Sequence, residues 1–400
     1  MPAIDNCRIC KSSKLDLALD LGSQPWCNNF LRAEEVGKEL HYPLRLVHCA
    51  ECCAVQLDYT VKKEIMFGDH TYLSGITRSL DSHFKNVAIE VDEKYGTEPS
   101  KKSVLDIGSN DGTQLKHYKA LGYDVLGVES SKRTATLANN SGIETINAFF
   151  NEDLARSLGR KFHIVNASGV FFHLEELHSF AEGIRNVLSD EGVFVVQFLY
   201  LKSIIENCAF DQIYHEHLLY YSLQTIEQLL RLHGLEMFDA ILSPIHGGSI
   251  IGYVGHSGLR ATTSRLERLQ LAETRSGCND FKTLLNFRVR IEEMKEKNLS
   301  YLNKAKSRRS KIYGMGAPAK GNTLLNYFGI GREYIDFLAE KNNLRRGLFS
   351  PGKHIPIIME DEITEPPDIY YVLAWNFKQE ILANNQQLIE RGVEFFFPVN

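Results

Sequence analysis

The chain has no apolar run approaching the ~20 residues a membrane-crossing helix needs, and its N-terminus lacks the basic-then-apolar pattern of a secretory leader. A cytoplasmic protein without a membrane partner is expected. Positive charge is not in excess either: 45 Lys and Arg face 50 Asp and Glu, for a net charge of −5. A surface of that balance offers no general attraction to phosphate backbones, so nucleic acid is not the expected partner. The one basic cluster, Lys304, Lys306, Arg308, Arg309 and Lys311, is short and reads as a solvated helix end. Disorder is excluded by the 44% hydrophobic content over 400 residues, which suffices for two or three cores.

Cysteine is scarce beyond residue 53, where only Cys208 and Cys278 occur; the other six are Cys7, Cys10, Cys27, Cys49, Cys52 and Cys53. Without a leader, that clustering argues for metal rather than disulfides. Cys7-x-x-Cys10 and Cys49-x-x-Cys52 form two knuckles whose four thiolates suit a closed, tetrahedral, structural Zn²⁺. Cys53 stands as an alternative to Cys52, and Cys27 beside Trp26 reads as core. Residues 1–59 show little helical periodicity and could not bury much of a core unaided, so a metal staple fits.

A Gly-x-Gly-x-x-Gly turn is missing where a dinucleotide fold would carry it. The strand Ser103-Val104-Leu105-Asp106-Ile107 instead enters Gly108-Ser109-Asn110-Asp111-Gly112 and then a helix. Glycines let a ligand approach the backbone, and the helix start offers unpaired N–H groups. Asp106 and Asp111 would repel a diphosphate and suit a cationic ligand, which points to S-adenosylmethionine. Glu129, about twenty residues on at the end of the next strand, can accept both ribose hydroxyls. Further strands are expected at 124–128, 163–167 and 192–198 with helices between, as in a doubly wound parallel sheet whose loops after the strands carry function.

An amphipathic segment over 280–311 leads into a second strand, turn and helix start at 312–322, with later strands at 334–338, 370–375 and 394–397. This turn has no acids and carries Lys320, which fits an anion such as a diphosphate. Between the two α/β units, Phe210-Asp211-Gln212-Ile213-Tyr214-His215-Glu216-His217 concentrates acid–base side chains. On a helix His215 and His217 would diverge by about 200°, whereas on an extended segment they would share a face. A histidine here suits a general base at neutral pH.

Cys7-x-x-Cys10, Cys49-x-x-Cys52 with Val55-Gln56-Leu57, the 108–112 turn, Tyr214-His215-Glu216-His217, Pro244-Ile245-His246-Gly247-Gly248-Ser249 and Gly316-Ala317-Pro318-Ala319-Lys320-Gly321-Asn322 follow in that order. Over essentially its whole length the chain resembles the S-adenosylmethionine-dependent sugar C3-methyltransferases, which act on nucleotide-linked 4-keto-6-deoxysugars. The resemblance implies an α/β protein: a zinc-binding domain (1–70) followed by two Rossmann-like doubly wound domains, one for the cofactor (71–243) and one contributing to the sugar nucleotide (244–400).

It also implies roles. His217 removes the C3 proton, with Tyr214, Glu216, His173 and Tyr72 lining the same site. The cofactor is expected at Asp106, Gly108, Asn110, Asp111, Gly112, Glu129 and Ser168, and the substrate at His246, Gly247, Gly248, Ser249, Lys320 and Asn322. A C4 ketone is needed to make the C3 proton acidic enough for histidine, so tyrosine or histidine donors are expected near that oxygen. Two departures from the family bear on specificity: Ser168-Gly169-Val170 replaces an asparagine-rich turn, and Ile250-Ile251-Gly252 replaces an arginine after Gly-Gly-Ser. The nucleotide expected first is dTDP, with GDP and CDP as alternatives, and a monomer is expected. O- or N-methylation of a small molecule, or a zinc-containing binding module with a vestigial cofactor fold, stay open at this level.

Overall fold

Short buried strands separated by turns make the first sheet of the computed structural model, which describes residues 3–67 and 78–399. Strands β1 (Leu15–Pro25), β2 (His41–Cys49) and β3 (Val55–Leu57) run antiparallel in sequence order. All three residues of β3 are buried, and its outer edge is covered by a strand from far along the chain, described below. An edge so covered offers no template for foreign pairing.

The central sheet contains β4 (Ser103–Ile107), β5 (Asp124–Glu129), β6 (Thr145–Asn147), β7 (Phe162–Ser168) and β8 (Leu188–Leu199) in parallel. Each expected strand here falls inside an observed one. Val104, Leu105 and Ile107 are buried as a nearly continuous apolar run, as a parallel strand packed on both faces requires. After β8 the chain supplies β9 (Leu219–Tyr220), which leaves this sheet and pairs with β3, closing the N-terminal sheet in the order β1-β2-β3-β9.

The hairpin β10 (Leu235–Ser243) and β11 (Ser249–His256) then completes the central sheet in the order β10-β11-β8-β7-β4-β5-β6, with β11 antiparallel to β8. Residues 249–256, which the expected division at 243/244 assigns to the C-terminal domain, are therefore hydrogen-bonded into the central sheet. Strand order reverses at β4, flanked by β5 and β7, so the ligand crevice lies beyond the carboxyl ends of β4 and β7.

The expected amphipathic segment is one helix, Phe281–Ser307. Leu284, Phe287, Ile291, Leu302 and Ala305 form its buried stripe. Asn298 interrupts that stripe with its polar group satisfied: it accepts from the Tyr371 hydroxyl at 2.7 Å and donates to the Pro398 carbonyl at 3.1 Å. Lys304 and Lys306 of the basic cluster sit in the last turn, where they complement the helix dipole.

A third sheet follows, fully parallel, from β12 (Ile312–Met315), β13 (Leu338–Glu340), β14 (Ile357–Met359), β15 (Ile369–Val372) and β16 (Glu394–Phe396) in the order β14-β13-β12-β15-β16. The strand expected at 334–338 begins only at Leu338, because the Tyr334 and Ile335 N–H groups close a turn on the Gly331 carbonyl. Trp375, expected within a strand, lies in a short 3₁₀ turn beyond β15. Order reverses at β12, which places a second crevice beyond β12 and β15.

The N-terminal domain is docked on the C-terminal one. Leu31 and Phe349 exchange backbone hydrogen bonds, and the Glu39 carboxylate accepts from the Gly352 N–H at 3.0 Å and pairs with His354 at 2.6 Å. No described helix is long and apolar enough to cross a membrane.

Candidate active site

The metal site is built from two matching knuckles. The Lys11 N–H returns to the Cys7 carbonyl and the Cys53 N–H to the Cys49 carbonyl, and Lys11 and Cys53 both take left-handed backbone (φ 64° and 61°). Cys53 is thus the turn-ending residue of the second knuckle, and Cys52 is the ligand. The sulfurs of Cys7, Cys10, Cys49 and Cys52 lie within 4.8 Å of one another. Thiolates on one tetrahedral Zn²⁺ stand roughly 3.8 Å apart, so the four positions fit the ion. The contact between Cys7 and Cys52 pulls the Cys7 pKa down and pushes that of Cys52 up.

The glycine turn lies at the central crevice as expected. Gly108 has φ 74°, and a Cβ there would come within 2.5 Å of Val170 Cγ2, from the loop after β7. The backbone is therefore left bare at the point where order reverses. Glu129 at the end of β5 is buried and pins the turn, its two oxygens accepting from Asn110 N–H at 2.9 Å and Ser131 N–H at 2.7 Å. A carboxylate has about four lone-pair sites, so capacity for ribose hydroxyls remains. Burial, and then the charge of Glu129, raise the Asp106 pKa well above the ordinary range. A cationic ligand beside it would reverse that shift, which fits S-adenosylmethionine and not a diphosphate.

Asp111 lies in the turn with its Oδ1 accepting from the Thr113 N–H at 3.2 Å and the Thr113 hydroxyl at 2.6 Å, which stabilises the start of the helix Thr113–Ala120. Ser168 ends β7 opposite Gln197. Gln197 was not foreseen. It accepts from His83 at 2.8 Å and donates to Ser249 Oγ at 3.1 Å, and Ser249 in turn donates to the Ile245 carbonyl at 3.2 Å. Ser249, expected on the substrate, is thus buried in a chain of hydrogen bonds that ties the 245–249 loop to the end of β8.

The Tyr214–His217 segment is a turn, closed by the His217 N–H on the Tyr214 carbonyl at 2.9 Å. It is neither helix nor strand, and it sends the two histidines to opposite sides. His215 enters the N-terminal domain, where its Nε2 meets the Tyr42 carbonyl at 3.3 Å and its ring packs edge-on against Tyr42. His217 packs with Tyr214, Phe172 and His173, ring centroids 3.8, 4.6 and 5.2 Å away. A shared His-x-His metal site is excluded by that divergence, and the four cysteines are the one metal-ligand cluster among the described residues.

The tautomer of His217 follows from its partner. Nδ1 lies 2.8 Å from the Gln212 carbonyl, which only accepts, so Nδ1 carries the hydrogen and Nε2 the lone pair. His173 obeys the same logic, with Nδ1 at 2.5 Å from the Glu216 carbonyl. Glu216 itself accepts from the Trp26 indole N–H at 2.6 Å. Burial, then the Glu216 charge, hold the Tyr214 phenol well above its usual pKa, which keeps it a donor. Tyr72 and the side chain of His246 lie outside the described residues.

At the other end of the same segment stands the C-terminal crevice. Lys320, nearly buried, places Nζ 3.6 Å from Asp211 Oδ2 and 3.8 Å from the centre of the Trp375 ring. The Trp375 indole donates to the same Asp211 oxygen at 2.7 Å. Desolvation lowers the Lys320 pKa, with Asp211 opposing. Gly247 lies against this tryptophan, since a Cβ there would stand 3.0 Å from the ring, and Gly248 lies against Ser203. Asn322, expected on the substrate, is buried and donates to the Cys27 carbonyl at 2.7 Å, so it joins two domains. Asp211, Trp26 and Trp375 were missed as site residues, although the signal was available: the chain has only two tryptophans, and each donates to a carboxylate of the 211–217 segment.

Three family models match in succession: a zinc binding domain at residues 7–67, a methyltransferase domain at 83–240 and a C-methyltransferase C-terminal domain at 244–400. With the cradle and cysteine cluster in place, they define an S-adenosylmethionine-dependent methyltransferase with a zinc-binding N-terminal domain. The C-methyltransferase NovU of Streptomyces niveus is 30% identical over 402 residues, which covers 99% of this chain and 96% of NovU. The chain belongs to this C-methyltransferase family. Among solved structures, an S-adenosylmethionine-dependent methyltransferase from Clostridium acetobutylicum is 15% identical and covers 44% of this chain and 92% of its own (TM-score 0.37). The PH0226 protein of Pyrococcus horikoshii is 17% identical and covers 49% and 100% (TM-score 0.37). Likenesses of that order carry no part of the argument.

Proposed function

We propose that this C-methyltransferase acts on C3 of a nucleotide-linked 4-keto-6-deoxyhexose, with His217 as the general base. The observation that carries the reading is the Gln212 carbonyl at His217 Nδ1, which sets the lone pair on Nε2 beside Tyr214 and His173. S-adenosylmethionine, when bound, supplies the electrophilic methyl group. The protein's own part is proton removal and charge placement. His217 Nε2 accepts the C3 proton, and the electron pair spreads onto the C4 oxygen as an enolate. That oxygen needs a donor. Tyr214 provides it, because its phenol stays protonated. The anionic half of the substrate is assigned to the C-terminal crevice beside Lys320, Gly247 and Gly248, with dTDP the first nucleotide to test and GDP and CDP next.

The test uses S-adenosylmethionine and a panel of nucleotide-linked 4-keto-6-deoxyhexoses. A product heavier by one methyl group is expected from at least one, and none from any would overturn the reading. His217→Asn is expected to bind S-adenosylhomocysteine normally and lose turnover by ~10²-fold or more, the scale of a lost general base. Near-normal turnover would move the base elsewhere.

A further inference from the structure

Segment 211–217 is held from both ends by tryptophans of different domains. Trp375, beyond β15 of the C-terminal sheet, donates to Asp211. Trp26, beyond β1 of the N-terminal sheet, donates to Glu216. Both acceptors are buried carboxylates, and hydrogen bonds to charged groups in such surroundings are strong and geometrically demanding. The grip at the Asp211 end is wider than one bond, because Lys320 pairs with the same oxygen and Phe210 stacks on Phe328 of the helix Ala319–Phe328, ring centroids 5.0 Å apart.

Gln212, next to Asp211, supplies the carbonyl that holds His217 Nδ1–H. Glu216, next to His217, supplies the carbonyl that holds His173 Nδ1. A carboxylate fixed by an indole thus neighbours each carbonyl that fixes an imidazole. Moving either carboxylate moves the adjoining peptide, and a shift of about 1 Å in such a carbonyl is enough to lose the ring's orientation.

We propose that Trp26 and Trp375 are positioning residues for the base, each holding one end of the 211–217 turn so that backbone carbonyls lock His217 and His173 with their lone pairs on Nε2. The C-terminal domain then does more than receive substrate: it sets the tautomer of a histidine on the central domain. The proposal rests on His217 being the base, and its test reads the imidazole directly so that the two can fail separately.

The measurement is long-range ¹H–¹⁵N correlation of the histidine rings in ¹⁵N-labelled full-length protein, with His217 assigned by comparison with His217→Asn. The wild type is expected to show one tautomer, hydrogen on Nδ1. Trp375→Phe keeps an aromatic ring beside Lys320 and removes the N–H donor. It is expected to show mixed tautomers and a kcat lower by roughly tenfold or more, with zinc content and S-adenosylhomocysteine affinity unchanged. Asp211→Asn retains an acceptor for the indole and is expected to keep the wild-type tautomer. Trp26→Phe is expected to disturb His173 first.

An unchanged His217 signal in Trp375→Phe, with the fold intact by zinc content, overturns the proposal. If Trp375→Phe loses zinc or cofactor binding, Asp211→Ala, which removes the indole's acceptor, decides: mixed tautomers support the proposal and a wild-type tautomer overturns it. A tautomer change in Trp375→Phe alongside full turnover by His217→Asn would leave the positioning in place and remove the base assignment.

Discussion

His215 and His217 stand two residues apart in opposite environments, and the difference has a measurable consequence. Burial against Tyr42 lowers the His215 pKa from 6.5 to about 4. The unfolded chain takes up a proton there below about pH 6.5 while the folded one does not until about pH 4, so stability falls as pH drops through that window. The contribution between about pH 7 and about pH 5 is about 2 kcal/mol. His215→Phe is therefore expected to show a smaller decline in urea midpoint over that range than the wild type; an identical decline would assign the effect to other groups. The pair itself was legible as an acid–base cluster. Its division between packing and chemistry was not, because that depends on a turn at Tyr214–His217, whose direction no period of 2 or 3.6 encodes. Asn322 and Ser249 show the same limit: the partners that bury them, the Cys27 carbonyl and Gln197, come from distant parts of the chain that sequence spacing does not place.

At the scale of elements, β9 is the piece that ties the zinc domain to the segment carrying His217. Val55 and Gln56 of β3 pair with Tyr220 and Leu219, only a few residues past His217. The first knuckle precedes β1 and the second closes the β2–β3 connection, so metal loss is expected to loosen this sheet and with it the turn that follows Tyr214. Protein stripped by a chelator is expected to lose turnover while the cradle on β4 and β5 still binds S-adenosylhomocysteine, read by metal analysis, calorimetry and rate on one sample. Full turnover at far below one zinc per chain would contradict the coupling. Parallel strands such as β4 and β7 were legible because burial on both faces leaves continuous apolar runs. The β10–β11 hairpin was not, since Leu235–Ser243 mixes apolar and polar residues without a clean period and its partner follows a glycine loop that reads as a domain boundary. The choice of Cys52 over Cys53 was legible in the repeated x-x spacing of the two knuckles, and the sulfur of Cys52 is the one that joins the cluster.

Across the whole molecule, a mixed central sheet and a parallel C-terminal sheet each open a crevice where strand order reverses, and one segment runs between the crevices. Its Asp211 end touches Lys320 and Trp375 of the C-terminal crevice, and its His217 end touches Phe172 and His173 beyond β7 of the central one. The contrast between an acid-bearing turn and a lysine-bearing turn was visible in the sequence, and so was a stretch dense in acid–base side chains between them. The bonding of that stretch to all three domains was not, because Trp26 is 190 residues from Glu216 and Trp375 is 164 from Asp211. On the proposed function, methyl transfer occurs at a carbon whose proton His217 removes. The most direct measurement supplies a nucleotide-linked 4-keto-6-deoxyhexose deuterated at C3, together with S-adenosylmethionine, and follows both labels by mass spectrometry and NMR. The prediction is a product that gains one methyl group on C3 and has lost the deuterium, with neither change in His217→Asn; a methylated product that keeps its C3 deuterium, with the new group on oxygen or nitrogen, would contradict it.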